Sequence, residues 1–336
     1  MNTIPSTFNE RQINRTVIGG KEKCPNILMN VAVVILNTEW SYFRGTMIEN
    51  LAKTGFAEII SVESAANNYN IEDFSQRYPF VKFIIPLEPV TDGDLVNISM
   101  AEVQTEYVLV IRDTLNFSSD LLTPRLASNL TENKPYCVSP RLLLQQNTSF
   151  PIIFSPSVNK FVFTVDGTAV VSDGVPNLYP YDYIGLYNRK KFIDLGGFDY
   201  TITSSYWQNL DLSFRAWLWG ERITFSTAFV LSYGTEIRPE DTKANQSSNR
   251  FYLKNLAPKY VRDHGYLSYS SFWIFLLRSS CGLFEAMNQF KAARAWVDKN
   301  KYRYKLDAID LVQNWYKLQT KNDSKQKTNL VTEKGV

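Results

Sequence analysis

An apolar run, Tyr107-Val108-Leu109-Val110-Ile111, stops abruptly on Arg112-Asp113-Thr114. Those three side chains set a guanidinium, a carboxylate and a hydroxyl at the end of a strand-like segment. A guanidinium matches phosphate oxygens bidentately, and a carboxylate accepts protons or holds a cation. Two other apolar runs end in the same way. Residues 31–36 (VAVVIL) lead into Asn37-Thr38, and AEIISVES leaves Glu63 at its end. In open α/β sheets ligands bind at the carboxyl ends of the strands, so three polar strand ends read together as a nucleotide or small-ligand site.

The elements that must position these groups follow from periodicity. A continuous β-branched run such as 31–36 suits a strand buried on both faces. An amphipathic helix follows it, with Phe43, Met47, Leu51 and Ala52 on one stripe and Gly55 at its end. AEIISVES and VKFIIPL are the next strands, and a helical stretch near 94–104 leads into the strand at 107. This order predicts an α/β fold, a mostly parallel sheet wound by right-handed crossovers and flanked by helices. Residues 150–187, rich in aromatics, Pro, Gly and Ser, read as short strands and loops over one end of the sheet. The segment YWQNLDLSFRAWLWGER reads as a helix burying Leu210, Phe214, Trp217 and Leu218, with Gly220 as its left-handed cap, and ITFSTAFVLSY as a strand.

Beyond residue 245 the pattern turns helical, with Leu283, Met287, Phe290, Ala293 and Val297 on one stripe and Leu306, Ile309, Val312 and Tyr316 on another. The expected organisation is a flexible extension over 1–26, a main domain over 27–250, a C-terminal helical region over 251–319, and a polar, disordered tail over 320–336. From residue 251 onward 15 Lys/Arg face 7 Asp/Glu, within a chain of formal charge +3. That excess suits either solvated helix faces or an anionic partner. Cys24, Cys137 and Cys281 lie far apart with no metal-ligand spacing and read as reduced thiols. The start MNTIPSTFNERQINRT has no apolar core, and FWIFLL is far too short to span a bilayer. The expected location is cytoplasmic, with the basic, Trp- and Tyr-bearing C-terminal helices able to meet a membrane surface peripherally.

Three segments, in order over residues 28 to 235, resemble the family 2 glycosyltransferases, inverting enzymes of the GT-A fold. VAVVILNTEW is similar to that family's first strand and turn. DGDLVNISMAEVQTEYVLVIRD is similar to its Asn-containing helix and the strand that ends on the DxD motif. FIDLGGFDYTITSSYWQNLDLSFRAWLWGERI resembles its Gly-Gly-Phe-Asp turn and the acidic helix behind it, the most specific part. The resemblance implies a nucleotide-diphosphate-sugar donor, with Thr38 beside the base, Glu63 at the base or ribose, and Arg112 and Asp113 at the diphosphate. It also implies a glycan, lipid-linked or protein acceptor, as in polysaccharide biosynthesis, and no nucleic acid. Trp207 and Tyr183 offer aromatic faces for acceptor sugars or, equally, for core packing.

The departures from the family pattern are as telling. The DxD carboxylates would hold a Mg²⁺ or Mn²⁺, which needs several oxygen ligands. Here the aligned residues are Arg112, Asp113 and Thr114, so only Asp113 remains as a metal ligand and no cofactor is assigned. The family's catalytic base aligns with Asn209, an amide that cannot take up a proton near neutrality. Asp211 and Asp199 are the nearby carboxylates left for that role, Asp211 also being placed for an i,i+4 ion pair with Arg215. Two outcomes follow: a metal-independent transferase in which Arg112 supplies the missing charge, or a non-catalytic relative that binds a glycan, a nucleotide sugar or a partner enzyme. A nucleotidyltransferase ranks last, because LNTEWSYFRG lacks the glycine- and lysine-rich first loop it needs.

Overall fold

The computed structural model describes residues 11–37, 44–63, 71–116, 118, 121–145, 148–160, 162–237 and 239–318. Thr38, the expected tail over 320–336 and the first ten residues lie outside the described residues. In chain order the strands are β1 (Arg15–Gly19), β2 (Val31–Asn37), β3 (Glu58–Glu63), β4 (Val81–Pro86), β5 (Tyr107–Arg112), β6 (Leu115–Asn116) and β7 (Cys137–Leu143). They continue as β8 (Ile153–Asn159), β9 (Val162–Thr168), β10 (Gly185–Asn188), β11 (Ile223–Tyr233), β12 (Lys259–Val261) and β13 (His264–Tyr266). The helices are α1 (Arg44–Thr54), α2 (Ile71–Arg77), α3 (Asp92–Glu102), α4 (Pro124–Thr131), α5 (Arg189–Asp194), α6 (Ser205–Leu218), α7 (Gln246–Phe251), α8 (Ser271–Arg278) and α9 (Leu283–Asn300), and a further helical run covers 308–318.

One large sheet runs in the order β1-β4-β3-β2-β5-β10-β7-β11-β6. Strands β2, β3, β4, β5, β7 and β11 point one way, and β1, β6 and β10 run against them. The sheet is therefore mixed and mostly parallel, with helices packed on it. Every residue of β2 and of β5 is buried, as strands covered on both faces require. Each fully buried Val, Ile or Leu there contributes roughly 1.5–3 kcal/mol, so these two strands lie at the centre of the core. From β2 the chain steps out to β3 and β4, then returns to β5 on the other side of β2. The switch point, where ligands bind in such sheets, lies between β2 and β5.

Two local features differ from the sequence reading. Residues 15–19, expected within a flexible extension, form β1 and pair antiparallel with β4, Gly19 opposite Lys82. Five residues with two apolar side chains carry little signal alone; the edge of β4 and an ion pair from Arg15 to Glu102 at 2.7 Å hold them. The second and third strands read as consecutive, yet β3 and β4 are parallel. A parallel pair demands a crossover. Helix α2 supplies it, and since only Ile71 of its seven residues is buried, it has no apolar stripe to announce it.

Helix α6 is buried along nearly its whole length. It packs on α3 and α7, and its C-terminal end meets the C-terminal helices, where Trp217 meets Trp315 at 4.9 Å and Trp219 stacks on Trp296 at 6.0 Å. The expected boundary at 250/251 falls inside a continuous helical stretch, α7 running on into a π-turn over Tyr252–Leu256. The C-terminal region is joined to the main domain through buried side chains.

Candidate functional site

The strand ends predicted to form a site do meet at one edge. Register places Leu36 opposite Arg112 and Asn37 opposite Glu63, so the ends of β2, β3 and β5 line up. The Asn37 amide donates to Ser61 Oγ at 2.8 Å, to the Val62 carbonyl at 3.0 Å and to Glu63 Oε1 at 3.4 Å. Arg44, at the first turn of α1, pairs with Glu63 and lies over the rings of Phe74 and Phe83. Burial pushes the Glu63 carboxyl above its ordinary range, and Arg44 and Ser61 oppose that rise. Arg44 Nε has no hydrogen-bond partner among the described residues. No motif in the sequence marks this arginine; its place at the start of α1 sets it at the sheet edge.

Arg112 is buried and engaged on two sides. Its guanidinium donates to Asp92 Oδ2 at 2.9 Å, on the first residue of α3. It also donates from Nε to Asp182 Oδ1 at 3.0 Å, and a terminal nitrogen stands 2.7 Å from the same oxygen as an ion pair. Burial alone would lower its pKa; the facing Asp182 and Asp92 outweigh that and drive it upward. Strand pairing explains the contact. β10 lies antiparallel to β5 with Gly185 opposite Val110, so the turn preceding β10 folds over the end of β5. Asp182 and Tyr183 in that turn adopt positive φ, 53° and 63°, a conformation that costs about 1–3 kcal/mol where no glycine relieves it. The Arg112 clamp and the Tyr183 hydroxyl, donating to the Ser205 carbonyl at 2.8 Å, hold the turn in place.

A second carboxyl stands beside this clamp. Glu240, in the segment after β11, accepts a hydrogen bond from the Tyr179 hydroxyl at 2.7 Å. Burial raises its pKa to about 7; the Tyr179 bond opposes the rise and the Asp182 charge adds to it. Asp182 in turn accepts from the Tyr233 hydroxyl at 3.3 Å. No sequence signal marked Glu240, because it belongs to no periodic element.

The carboxylates expected to act as base lie elsewhere. Asp211 is fully buried and bonded to Lys254 Nζ at 2.9 Å, Asn255 at 2.7 Å and Arg215 at 3.1 Å. Asp199 pairs with Lys254 at 2.8 Å and Arg250 at 2.9 Å. Burial would raise the Asp199 carboxyl, but the two cations outweigh it and hold it far below the usual range. Both are tied into one buried ionic network, so neither faces an acceptor in this conformation. Asn209 donates to the Pro180 carbonyl at 2.7 Å, while its buried Oδ1 has no partner among the described residues.

Of the expected acceptor platform, Tyr183 lies inside the protein and Trp207 is partly covered. Tyr183 is buried against Phe198 at 5.0 Å, edge to face. Trp207 is half-buried beside Phe251 and donates its indole N–H to the Lys243 carbonyl at 2.9 Å. The Gly-Gly-Phe-Asp turn is held against α3. Asn97 of α3 exchanges two hydrogen bonds with the Phe198 backbone, both at 2.9 Å. Gln208 accepts from the Gly93 N–H at 3.1 Å and donates to Thr91 Oγ1 at 2.9 Å, which fixes the start of α3 and with it Asp92.

These residues do not present the donor set of a divalent metal site. The Asp92 and Asp182 carboxylates that flank the strand end are already taken by the Arg112 guanidinium. Among the described residues no three His, Cys, Asp or Glu side chains gather in a metal-holding arrangement. A cavity of about 860 Å³ opens at the opposite edge of the sheet, where β7 and β11 begin, and is lined by Lys134, Lys191, Glu221 and Arg222 among others. It is remote from the strand ends described above.

No family model matches the chain, and no curated protein does. Solved structures similar to it include GalNAc-T7 with UDP, GalNAc and Mn²⁺, at 11% identity and a TM-score of 0.49. That match covers 82% of this chain and 57% of that one, so this chain spans little more than half of it. S. aureus TarS residues 1–349 with UDP matches at 12% identity and a TM-score of 0.47, over 79% and 70% of the two chains. The mannosyltransferase PcManGT of Pyrobaculum calidifontis with GDP-Man and Mn²⁺ matches at 10% identity and 0.46, over 86% and 74%.

Proposed function

We propose that this chain is a GT-A-type glycosyltransferase of the family 2 kind, moving a sugar from a nucleotide-diphosphate donor to a glycan, lipid-linked or protein acceptor. One observation carries the reading: Asn37, Glu63 and Arg112 end adjacent parallel strands at the switch point, with the Asp182 turn folded over them. Asn37, Glu63 and Arg44 suit the polar groups of a nucleoside, and Arg112 is the cation at the strand end. In a single inverting displacement, the bond from the anomeric carbon to the diphosphate oxygen breaks and its electron pair leaves with the nucleotide. The acceptor oxygen bonds to the opposite face of that carbon and its proton passes to a carboxylate. Glu240 takes that role in this reading, because Asp199 and Asp211 are held by cations and Glu240 is poised near neutrality.

Arg112 serves the leaving diphosphate by exchanging Asp92 or Asp182 for phosphate oxygens, so no divalent metal is required. The test is a panel of nucleotide sugars with and without EDTA, reading release of nucleoside diphosphate. Release that survives EDTA supports the reading. Strict dependence on Mg²⁺ or Mn²⁺ removes metal independence, and no release from any donor removes transfer.

A second reading, a non-catalytic binder of nucleotide sugars, glycans or a partner enzyme, is favoured by one feature. Arg112 is fully engaged by two carboxylates, and the residue aligned with the catalytic base is the amide Asn209. Calorimetric binding of a nucleotide sugar without turnover selects it.

A further inference from the structure

Helix α8 and the first turn of α9 leave a cluster of large apolar side chains uncovered. Trp273 is 64% exposed, Leu277 88% and Phe284 76%, and Ile274 and Leu283 are more than half exposed. Only Phe275 of α8 is buried. It packs on Tyr252 at 6.4 Å, while Phe272 meets Phe290 of α9 at 5.5 Å. That inner face accounts for the helix being anchored; the outer face has nothing against it among the described residues. The link 279–282 is short, so the end of α8 and the start of α9 meet at one corner, which gathers Leu277, Arg278, Leu283 and Phe284.

Charge indicates what this corner meets. Arg278 ends α8 with its guanidinium over the Tyr252 ring at 5.1 Å, and Lys291 lies two helical turns beyond Phe284 on the same side of α9. Both are exposed, and neither makes an ion pair among the described residues. Arg294 stacks over exposed Tyr269 at 3.4 Å, extending the aromatic and cationic surface. Glu285, the one acidic residue of the first turn of α9, is bonded to Gln246 and Gln289. Between residues 251 and 318, 11 Lys/Arg face 5 Asp/Glu.

Side chains this exposed stand out from the surface and do not line a groove. A rigid protein partner would need a matching pocket for each, and about 800 Å² of complementary surface per subunit. A bilayer interface accepts protruding Trp, Leu and Phe without preformed pockets, and its anionic headgroups pair with the flanking cations. We propose that the α8–α9 corner docks this protein on an anionic phospholipid surface, with Trp273, Leu277 and Phe284 inserted at the interface and Arg278 and Lys291 against the headgroups. Among the described residues no helix is long and apolar enough to cross a membrane, so the contact is peripheral. It does not depend on the reaction proposed above.

The test is flotation of the full chain with phosphatidylcholine vesicles, with and without about 30% phosphatidylglycerol, at about 0.1 M salt. The expected result is flotation with the phosphatidylglycerol vesicles, weakened by added salt. It should fall about tenfold in W273S/L277S/F284S and substantially in R278E/K291E. Unchanged thermal melting of the variants shows that they are folded, and the charge variant tests the surface independently should the apolar one misfold. Absence of flotation, or flotation of both variants like the parent, overturns the proposal. So does a dimer in sedimentation equilibrium that the apolar variant dissociates while vesicles bind neither form.

Discussion

The guanidinium of Arg112 and the carboxylate of Asp182 meet at 2.7 Å although they stand 70 residues apart in the chain. Antiparallel pairing of β10 with β5 makes the contact, and Asp92 at the head of α3 completes it from the other side. A single buried cation thereby ties a strand end, a helix start and a strained turn together.

Removing that buried cation leaves two partly exposed carboxylates facing each other unneutralised. R112M should destabilise the fold by about 3–5 kcal/mol in urea unfolding, and R112M/D182N should recover part of the loss. R112K should fall between them, since an ammonium cannot reproduce the fork that reaches both acids. Equal stability of R112M and the parent would show that the clamp contributes nothing net.

The second ionic centre makes a stability prediction far from the strand ends. Lys254 is fully buried between Asp199 and Asp211, 4.5 Å from the centre of the Trp296 ring. K254M should cost about 3–5 kcal/mol, because both acids lose a partner at once. Donor binding, measured on whatever folded fraction remains, should hold if the site lies where we place it.

Acid unfolding tests Asp199. Its folded-state pKa is depressed below the unfolded value, so the stability it contributes is present above about pH 4 and is lost as the pH falls below that. D199N should be less stable than the parent at pH 7 and should show a shallower loss on acidification. Parallel acid limbs for the two proteins would contradict the assignment.

Glu240 carries the opposite sign. Its folded-state pKa is raised to about 7, so its contribution is fully present below the unfolded value and is lost as the pH rises through about 7. Thermal melting should therefore fall between pH 5 and pH 8, and E240Q should flatten that slope. If Glu240 is the proton acceptor, transfer should rise with pH through about 7 and E240Q should lower it by about 10²–10⁴-fold. An E240Q enzyme with the parent's rate and pH profile would end that role.

Gly93 tests the positioning of Asp92. A Cβ there would stand 2.4 Å from Gln208 Oε1 and 2.7 Å from Phe198 Cβ. G93A should cost about 1–3 kcal/mol by overpacking. It should also perturb donor affinity more than an equally destabilising change in the C-terminal helices.

Much of the frame was legible in the sequence because its signals are local. The run 31–36 is apolar enough to demand a fully covered strand, and β11 begins and ends where ITFSTAFVLSY does. The strand ends at Asn37, Glu63 and Arg112 could be named as neighbours because parallel strands wound by crossovers bring like ends to one edge. Short, weakly patterned pieces were not legible. β1 and α2 exist because β4 and the β3–β4 crossover need them, and neither carries a stripe of its own.

Residue types and their periodicity thus established most of the parallel strands, the main helices and which strand ends share one edge, since hydrophobic patterning acts within a few residues. They could not assign partners. Asp199 read as a free base, and Asp211 as a base or the i,i+4 partner of Arg215, until Lys254 from the C-terminal region set an ammonium between them. Arg112 read as a free cation until the turn before β10 set Asp182 on it, and Glu240 had no pattern to betray it. A buried charge takes its role from what neutralises it, and that neighbour comes from pairing and packing over tens of residues, which only the folded chain brings about.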